Sequence, residues 1–249
     1  MPSKPAKAPD GAPSPDAPFD LVLLSAGAAK GLVLGVAAEF LRTTGSAIRG
    51  TFGAVGAMRE KLLSGNPCDA FVSTAAMLDA LAQDGRVLAA SIRPIGLVRT
   101  GIAVRAGDPS PAVADGDALA ACLEAAPAIF VPDTERATAG IHFVRVLDRL
   151  GLLAALAPRL RAYASGAIAM QALAHSGIAG AIGCTQVTEI LYTPGVVLAA
   201  RLPGAFELAT PYAAGVTADA ASPALATTFV ARIAGERAAA LRREGGFEG

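Results

Sequence analysis

The sequence predicts an α/β fold with largely parallel β-sheets. Along most of the 249-residue chain, short apolar runs alternate with amphipathic stretches of helical period. This alternation is typical of strand–helix–strand units. The apolar runs are continuous, as in Leu21–Leu24, which is expected of strands that helices cover on both faces. With 53% hydrophobic residues, the chain can bury a sizeable core.

The predicted strands are short apolar runs bounded by small, polar or proline residues. In order they are Leu21–Leu24, Gly50–Phe52, Ala70–Ser73, Leu97–Val104, Ala128–Val131, Ala179–Gly183 and Val196–Arg201, followed by an extended piece over Phe206–Ala214. Ligands of such sheets bind beyond the carboxyl ends of the strands.

The predicted helices lie between these strands. They cover Leu32–Thr43, Gly56–Leu63, a segment ending near Asp84, Ala118–Glu124, Ala139–Leu150, Ala167–Ala174, Thr188–Leu191 and Ala224–Arg242. The second helix ends at Ser64-Gly65-Asn66-Pro67, a clear stop signal, because glycine and proline commonly follow a helix. Asp117 is the candidate N-cap of the fourth helix.

The first 18 residues predict a disordered tail. They hold prolines at positions 2, 5, 9, 13, 15 and 18 and few apolar side chains. Because they lack the apolar segment of a secretory signal, we expect a cytoplasmic protein. The alternative is a periplasmic protein from which a signal has been removed. The sequence holds no run of 18 uncharged apolar residues, so we expect no membrane insertion.

The composition argues against several function classes. Lys+Arg and Asp+Glu number 21 each, aromatic residues are 5% of the chain, and tryptophan is absent, so we expect no nucleic-acid partner. The three cysteines and two histidines have no metal-ligand spacing, which predicts no metal. No phosphate-binding loop or dinucleotide-binding glycine motif opens a helix, so we expect no cofactor.

Four segments share one pattern, in which a buried strand is followed by small or hydroxyl residues and then by a helix start. They are Leu24–Lys30, Val72–Ala75, Pro132–Gly140 and Gly183–Gln186. Small residues let a ligand approach the backbone, and helix N-termini offer unpaired N–H groups and the positive end of the dipole. The repetition predicts a site for a small anionic ligand. Its candidate residues are Ser25, Ala26, Gly27, Lys30, Ser73, Thr74, Arg136, Thr138, Ala139, Gly140, His142 and Gln186.

Three of these candidates could act on a ligand through a charged or titratable side chain. Lys30 could contact an anion, and Arg136 could clamp a carboxylate with two nitrogens, although either could equally be a solvated residue. His142 lies in the first turn of a predicted helix, where a lowered pKa would suit a proton shuttle near neutral pH. The alternative for His142 is a half-buried packing role. The hydroxyl candidates are helix caps first and ligand donors second.

The pattern Gly65-x-Pro67-x-Asp69-x-Phe71-x-Ser73 is the most specific of several family-like stretches. Together with LVLLSAGAAKGLVLGVAAEF, VPDTERATAGIHFVRVLDRLG and GIAGAIGCTQVTEIL, it makes the chain from about residue 20 onward resemble the type II periplasmic solute-binding proteins. The molybdate-binding branch is the most similar.

This resemblance implies a two-lobe α/β fold. Each lobe would be a largely parallel sheet flanked by helices, and two crossing strands would join the lobes. It implies one lobe over residues 19–98 plus 205–249, a second over residues 99–204, and a ligand clamped in the cleft between them. An ABC permease would be a partner only if the protein is exported.

The chain departs from the molybdate-binding pattern at three positions. Ala28 and Val55 stand where that branch has hydroxyl residues, and Gln186 stands where it has a tyrosine. The loss of these donors favours a carboxylate ligand over a molybdate-type oxyanion.

A second function follows from a related subset of this fold. That subset includes aconitate isomerase and keeps stretches similar to Ser25–Gly31 and Ala139–Phe143. The likeness implies, as the alternative, an isomerase that shifts a double bond in a polycarboxylate. In that case His142 would move the proton and Lys30 would stabilise the developing charge.

Overall fold

The computed structural model describes residues 20–249, so the tail predicted over residues 1–18 lies outside the described part. The strands are β1 (Leu21–Ala26), β2 (Ile48–Gly53), β3 (Ala70–Thr74), β4 (Arg93–Arg105), β5 (Ile129–Pro132), β6 (Leu160–Tyr163), β7 (Ile182–Gln186), β8 (Val196–Arg201) and β9 (Ala209–Val216). The helices are α1 (Lys30–Thr44), α2 (Val55–Leu63), α3 (Ala75–Gln83), α4 (Gly116–Ala125), α5 (Thr138–Arg149), α6 (Leu153–Leu156), α7 (Gly166–His175), α8 (Val187–Tyr192), α9 (Pro223–Ala234) and α10 (Ala239–Glu244). Within residues 20–249, no helix is long and apolar enough to cross a bilayer.

The strands form two parallel groups that share one long strand. The order is β2-β1-β3-β9-β4-β7-β5-β6, and β8 pairs with β4 outside this path. Strand β1 is parallel to β2 and β3, and β5 is parallel to β6 and β7, whereas β9, β4 and β8 pair antiparallel. The predicted two-lobe α/β class is confirmed. We call the group with β1, β2, β3 and β9 the first lobe and the group with β5, β6, β7 and β8 the second lobe.

Strand β4 crosses from one lobe to the other. Its first half pairs with β9 from Arg93 to Arg99, and its second half pairs with β7 and β8 from Thr100 to Arg105. The chain returns beside this crossing: Leu202 N–H donates to the Thr100 carbonyl, and Thr100 N–H donates to Leu208, at 3.2 Å each. Two adjacent segments therefore connect the lobes.

The buried side chains form separate clusters in the two lobes. In the first lobe, α1 and α9 pack on the sheet through the rings of Phe40 and Phe229, whose centroids are 5.9 Å apart in an edge-to-face arrangement. In the second lobe, Phe143 of α5 packs in one cluster with Leu119 of α4. Burying one such side chain contributes about 1.5–3 kcal/mol. The exact lobe boundaries stay a prediction.

The Gly65–Ser73 motif connects three elements of the first lobe. Gly65 has a φ of +79°, a left-handed conformation that glycine adopts without strain, and it ends α2. Asp69 is buried, and its carboxylate accepts the N–H of Val22 in β1 and of Ser222 ahead of α9, at 2.9 Å each. Phe71 is fully buried beneath the sheet. The motif therefore has a structural role.

Several predicted elements need correction. Asp115, not Asp117, caps α4, because its carboxylate accepts the N–H of Ala118 at 2.9 Å. Strand β7 begins at Ile182 and continues to Gln186, so the residues predicted as a turn after that strand belong to the strand itself. The predicted final helix is divided, because the extended backbone at Gly235 separates α9 from α10.

Candidate functional site

A small, partly open cavity lies where helix starts of the two lobes meet. The space open to the centre of a water-sized sphere is about 20 Å³, which is room for a water molecule or one compact group. The lining residues are Ala26, Gly27, Ala28, Gly53, Ala54, Val55, Pro132, Ala137, Thr138, Ala139, Ser165, Gly166, Gln186, Glu189 and Tyr212. Most of them are small, which brings the backbone close to the cavity.

Helix N-termini from both lobes surround this cavity. Helix α2 begins beside it in the first lobe, and α5 and α7 begin beside it in the second. The first-turn N–H groups of a helix have no partner within the helix, and they carry the positive end of its dipole. Ala54 and Ala137, the N-cap residues of α2 and α5, offer no side-chain cap to these groups. Some of these groups already have partners, because Gly56 N–H of α2 donates to the Arg136 carbonyl and Ala167 N–H of α7 donates to Glu189. The first-turn N–H groups of α5, which no side chain caps, can bind an anion.

The carboxylate of Glu189 lies in the cavity wall. Its Oε2 accepts the Thr185 hydroxyl at 2.6 Å, and its Oε1 accepts the N–H of Ala167 at 3.3 Å. A Cβ on Gly27 would lie 2.5 Å from Oε1, and one on Gly166 would overlap Oε2. Burial raises the pKa of Glu189, and the hydrogen bonds from Thr185 and the backbone lower it in part. The site therefore holds a carboxyl group that is easily protonated.

The remaining polar side chains of the cavity can donate to a ligand as well as accept from it. The amide of Gln186 is buried next to the Tyr212 phenol, and among the described residues neither Oε1 nor Nε2 has a hydrogen-bond partner within 3.5 Å. Tyr212 of β9 contributes a phenol, whose pKa is raised by burial and by the nearby Glu189. Thr138 and Ser165 add hydroxyl groups. The lining therefore suits a ligand that both accepts and donates hydrogen bonds.

Comparison with known proteins identifies the family. A family profile described as "Bacterial extracellular solute-binding protein" matches residues 21–248. The chain belongs to this family.

Two solved structures and one sequence relative are similar to this solute-binding protein. The periplasmic molybdate-binding protein of Azotobacter vinelandii is 22% identical, with a TM-score of 0.74, and the match covers 92% of this chain and 98% of that one. The sulfate-binding protein SubI of Mycobacterium tuberculosis is 17% identical, with a TM-score of 0.71 over 92% and 86% of the two chains. An aconitate isomerase from a Pseudomonas species is 24% identical over 237 residues, which is 92% of this chain and 87% of the relative.

The structure brings five of the predicted site residues to the cavity. They are Ala26, Gly27, Thr138, Ala139 and Gln186. Ala28 and Val55, the positions where the sequence departs from the molybdate-binding pattern, line it as well. The five predicted residues come from three of the four segments that share the predicted strand–helix pattern.

Five other predicted residues lie outside the cavity lining. Ser25 is fully buried in β1 and donates to the Ala26 carbonyl at 3.0 Å. Lys30 is turned to the rings of Phe52 and Tyr192, with its Nζ 5.8 and 5.4 Å from their centroids. The other three are structural in their contacts: Ser73 is fully buried, Thr74 caps α3, and Gly140 allows close packing because a Cβ there would overlap the carbonyls of Pro132 and Asp133.

Arg136 and His142 also lie away from the lining. The Arg136 side chain is more than half exposed and pairs with Glu60 of α2 at 3.7 Å. His142 is on α5, and its Nε2 is 2.8 Å from the carbonyl of Phe206 in the return segment between the lobes. Burial lowers the pKa of His142, although the hydrogen bond with Phe206 raises it in part. Helix α5 directs the His142 ring toward the return segment, so His142 does not line the cavity.

Sequence reasoning missed six residues of the cavity, namely Gly53, Ala54, Ser165, Gly166, Glu189 and Tyr212. Ser165-Gly166 follows β6 and opens α7, which is the same pattern as the predicted segments, but β6 is not an apolar run and so gave no strand signal. Glu189 stands in a predicted helix, where a carboxylate is ordinarily solvated. The one feature of the sequence that could have indicated its role is that Glu189 is the only charged residue of Val187–Tyr192.

Proposed function

We propose that this solute-binding protein closes its lobes on one compact anion, a small carboxylate, in the cavity at the helix starts. The observation that carries the proposal is the meeting of the α2, α5 and α7 N-termini at a cavity whose lining includes no lysine or arginine. Helix N-termini stabilise negative charge without a cationic side chain. The small volume of the cavity favours a compact group over an extended one.

Contacts between the lobes support a closing motion. Gly56 N–H of α2 donates to the Arg136 carbonyl at 3.1 Å, and the Arg136 guanidinium pairs with Glu60. On the other side, Lys30 of α1 faces the ring of Tyr192 in α8. A ligand that touches both lobes only when these contacts form would shift the population toward the closed state.

The ligand class follows from the hydrogen-bond donors that the chain lacks. At Ala28 and Val55 the lining is aliphatic, so a tetrahedral oxyanion would find fewer neutral donors here than in a relative with hydroxyl residues. Each missing hydrogen bond weakens binding by about 1 kcal/mol. A carboxylate has two acceptor oxygens and needs fewer donors.

We also propose that the protein works outside the cytoplasm with an ABC permease. The support is that the family is described as extracellular and that one similar structure is a periplasmic protein. Both favour the periplasmic alternative over the cytoplasmic location expected from residues 1–18.

A thermal-shift panel tests the proposed binding. The probes are molybdate, tungstate, sulfate, phosphate and small mono-, di- and tricarboxylates. An anion at 100 times its dissociation constant should stabilise the folded protein by about 2.7 kcal/mol. Ala139→Leu, which fills the cavity, should abolish the shift, and Ala80→Leu on the exposed face of α3 should keep it. A shift that survives Ala139→Leu would place binding elsewhere.

A second candidate function is isomerisation of a polycarboxylate. It is supported by the sequence relative named aconitate isomerase and by a titratable carboxyl group in the cavity, Glu189, whose raised pKa suits a general base. The protein would be incubated with cis- or trans-aconitate in deuterated water and followed by proton NMR. Interconversion that falls at least about 100-fold in Glu189→Gln would support the enzyme, and no interconversion at high protein concentration would exclude it for this substrate.

A further inference from the structure

Glu189 is an unusual group to find in a site surrounded by helix N-termini. Its side chain is almost fully buried, and it faces Gly27 of the first lobe and Gly166 of the second. Both glycines leave space that the carboxylate fills. The negative charge of Glu189 is thus brought to the place where an anion would bind, at the junction of the lobes.

Nothing cationic in the described residues compensates this carboxylate. Its donors are the Thr185 hydroxyl and the N–H of Ala167, and it forms no ion pair. An ionised Glu189 beside a fully ionised ligand would place two like charges in a water-poor space, where their repulsion is strong. One proton between them removes the repulsion and adds a hydrogen bond.

The elements packed against α8 carry few groups that could change this picture. Tyr212 of β9 is the titratable residue next to Glu189; its phenol is neutral, because burial and the Glu189 carboxylate raise its pKa. The other titratable or charged residues on those elements are turned away or paired. On α1, Lys30 faces two aromatic rings, Glu39 pairs with Arg232 and Arg42 is exposed. On β4, Arg93 donates to the Ala90 carbonyl, Arg99 pairs with Glu248 and Arg105 pairs with Asp108. Elsewhere, His175 is at the far end of α7, Cys184 is buried in β7 and Arg201 of β8 pairs with Glu248.

The Gln186 amide points to the same kind of ligand. This buried side chain offers a carbonyl oxygen as well as an NH₂ group, and its polar neighbour is the Tyr212 phenol. A fully ionised oxyanion only accepts hydrogen bonds and so has no donor for the amide oxygen. A ligand that carries a proton or a hydroxyl group can satisfy both atoms.

We propose that Glu189 is the specificity-determining residue of this site, admitting anions that bring or share one proton with its carboxyl group and excluding fully ionised oxyanions. The inference rests on the proposed anion binding and adds the protonation state of the ligand. In the complex, one proton taken from solvent or from the ligand lies between the Glu189 carboxyl and a ligand oxygen. For a carboxylate ligand, binding is therefore linked to proton uptake once the pH is high enough to ionise Glu189 in the free protein.

Phosphate and sulfate form a matched pair of probes, because they have the same shape but only phosphate carries a proton near pH 7. Calorimetry with wild type should give binding of phosphate about 100-fold tighter than of sulfate. Glu189→Gln should bring the two affinities within about threefold by improving sulfate binding. The control Glu124→Gln, on an exposed part of α4, should keep the discrimination. Equal affinities in wild type would overturn the proposal.

Lactate, a compact monocarboxylate, gives a second readout. Calorimetry in two buffers of different ionisation enthalpy counts the protons taken up with each lactate. In wild type the uptake should rise toward one as the pH increases, and in Glu189→Gln it should stay near zero. Thr185→Val keeps the carboxyl group but removes a donor to its ionised form, so the rise should move to higher pH. Lactate binding without proton uptake at any pH would overturn the proposal. If wild type and Glu189→Gln bind none of the three probes, the proposed anion binding itself fails.

Discussion

Replacement of Asp69 provides a quantitative test of how the first lobe is held together. The Asp69 carboxylate accepts two backbone N–H groups, Val22 in β1 and Ser222 before α9, at 2.9 Å each. A hydrogen bond to a charged group contributes about 1.5–3 kcal/mol. Because both bonds are only partly buried, the lower end applies to each, and Asp69→Ala should lower the free energy of unfolding by about 3 kcal/mol. Asp69→Asn keeps one acceptor oxygen and should lower it by about half as much.

Urea unfolding followed by circular dichroism measures the change in free energy as a shift of the urea midpoint. In a thermal scan of the same variant, the midpoint temperature should fall by about 6–12 °C. The matched control is Asp79→Ala, an exposed residue of α3 whose replacement should change the free energy of unfolding by less than about 0.5 kcal/mol. An Asp69→Ala variant as stable as this control would refute the structural role assigned to the motif.

Three further predictions concern the site, the thiols and a buried histidine. Gly166→Ala should weaken anion binding at least about tenfold while the protein stays folded, because the new methyl group displaces the Glu189 carboxylate from its place in the cavity wall. An unchanged affinity by calorimetry would contradict the cavity as the binding site. Burial raises the pKa of Cys68 to about 12 and also raises the pKa of Cys184, whereas Cys122 is half-exposed. A thiol reagent should therefore label Cys122 first and the other two cysteines only on unfolding. Equal labelling rates for the three thiols would be inconsistent with this burial. Burial lowers the pKa of His142 in the folded protein, so the unfolded chain binds a proton at this residue first as the pH falls. The free energy of unfolding should therefore decrease below about pH 6.5. His142→Gln should flatten that decrease, and a pH dependence identical to wild type would contradict the lowered pKa of His142.

The helix starts around the cavity could largely be predicted from the sequence, because they depend on local chemistry. Small residues after a buried strand placed Gly27, Thr138, Ala139 and Gln186 at helix starts, and the fold brings them together. The orientation of long side chains could not be predicted in this way. Lys30 and Arg136 have the chemistry of an anion site, but aromatic rings and Glu60 hold them outside the cavity.

Tertiary packing decides the features that the sequence does not reveal. Strand β6 has an alternating, partly exposed sequence at the sheet edge, so it has no apolar run to identify it. The helix that follows was predicted from Ala167, but without the strand its start was not assigned to the site. Glu189 would be solvated in an isolated helix. It is buried because Gly27 and Gly166, far apart in the chain, leave space for its carboxylate. That coincidence exists only in the assembled two-lobe structure.

The central claim is that an anion binds at the helix starts between the lobes. A ¹H–¹⁵N NMR titration, with the anion that gives the largest thermal shift, tests it most directly. We expect saturable shifts of the backbone amides of Thr138 and Ala139 in α5 and of Gly27 in the first lobe, because their N–H groups lie at the cavity. Shifts confined to other parts of the chain, with these three amides unchanged at saturation, would contradict the account.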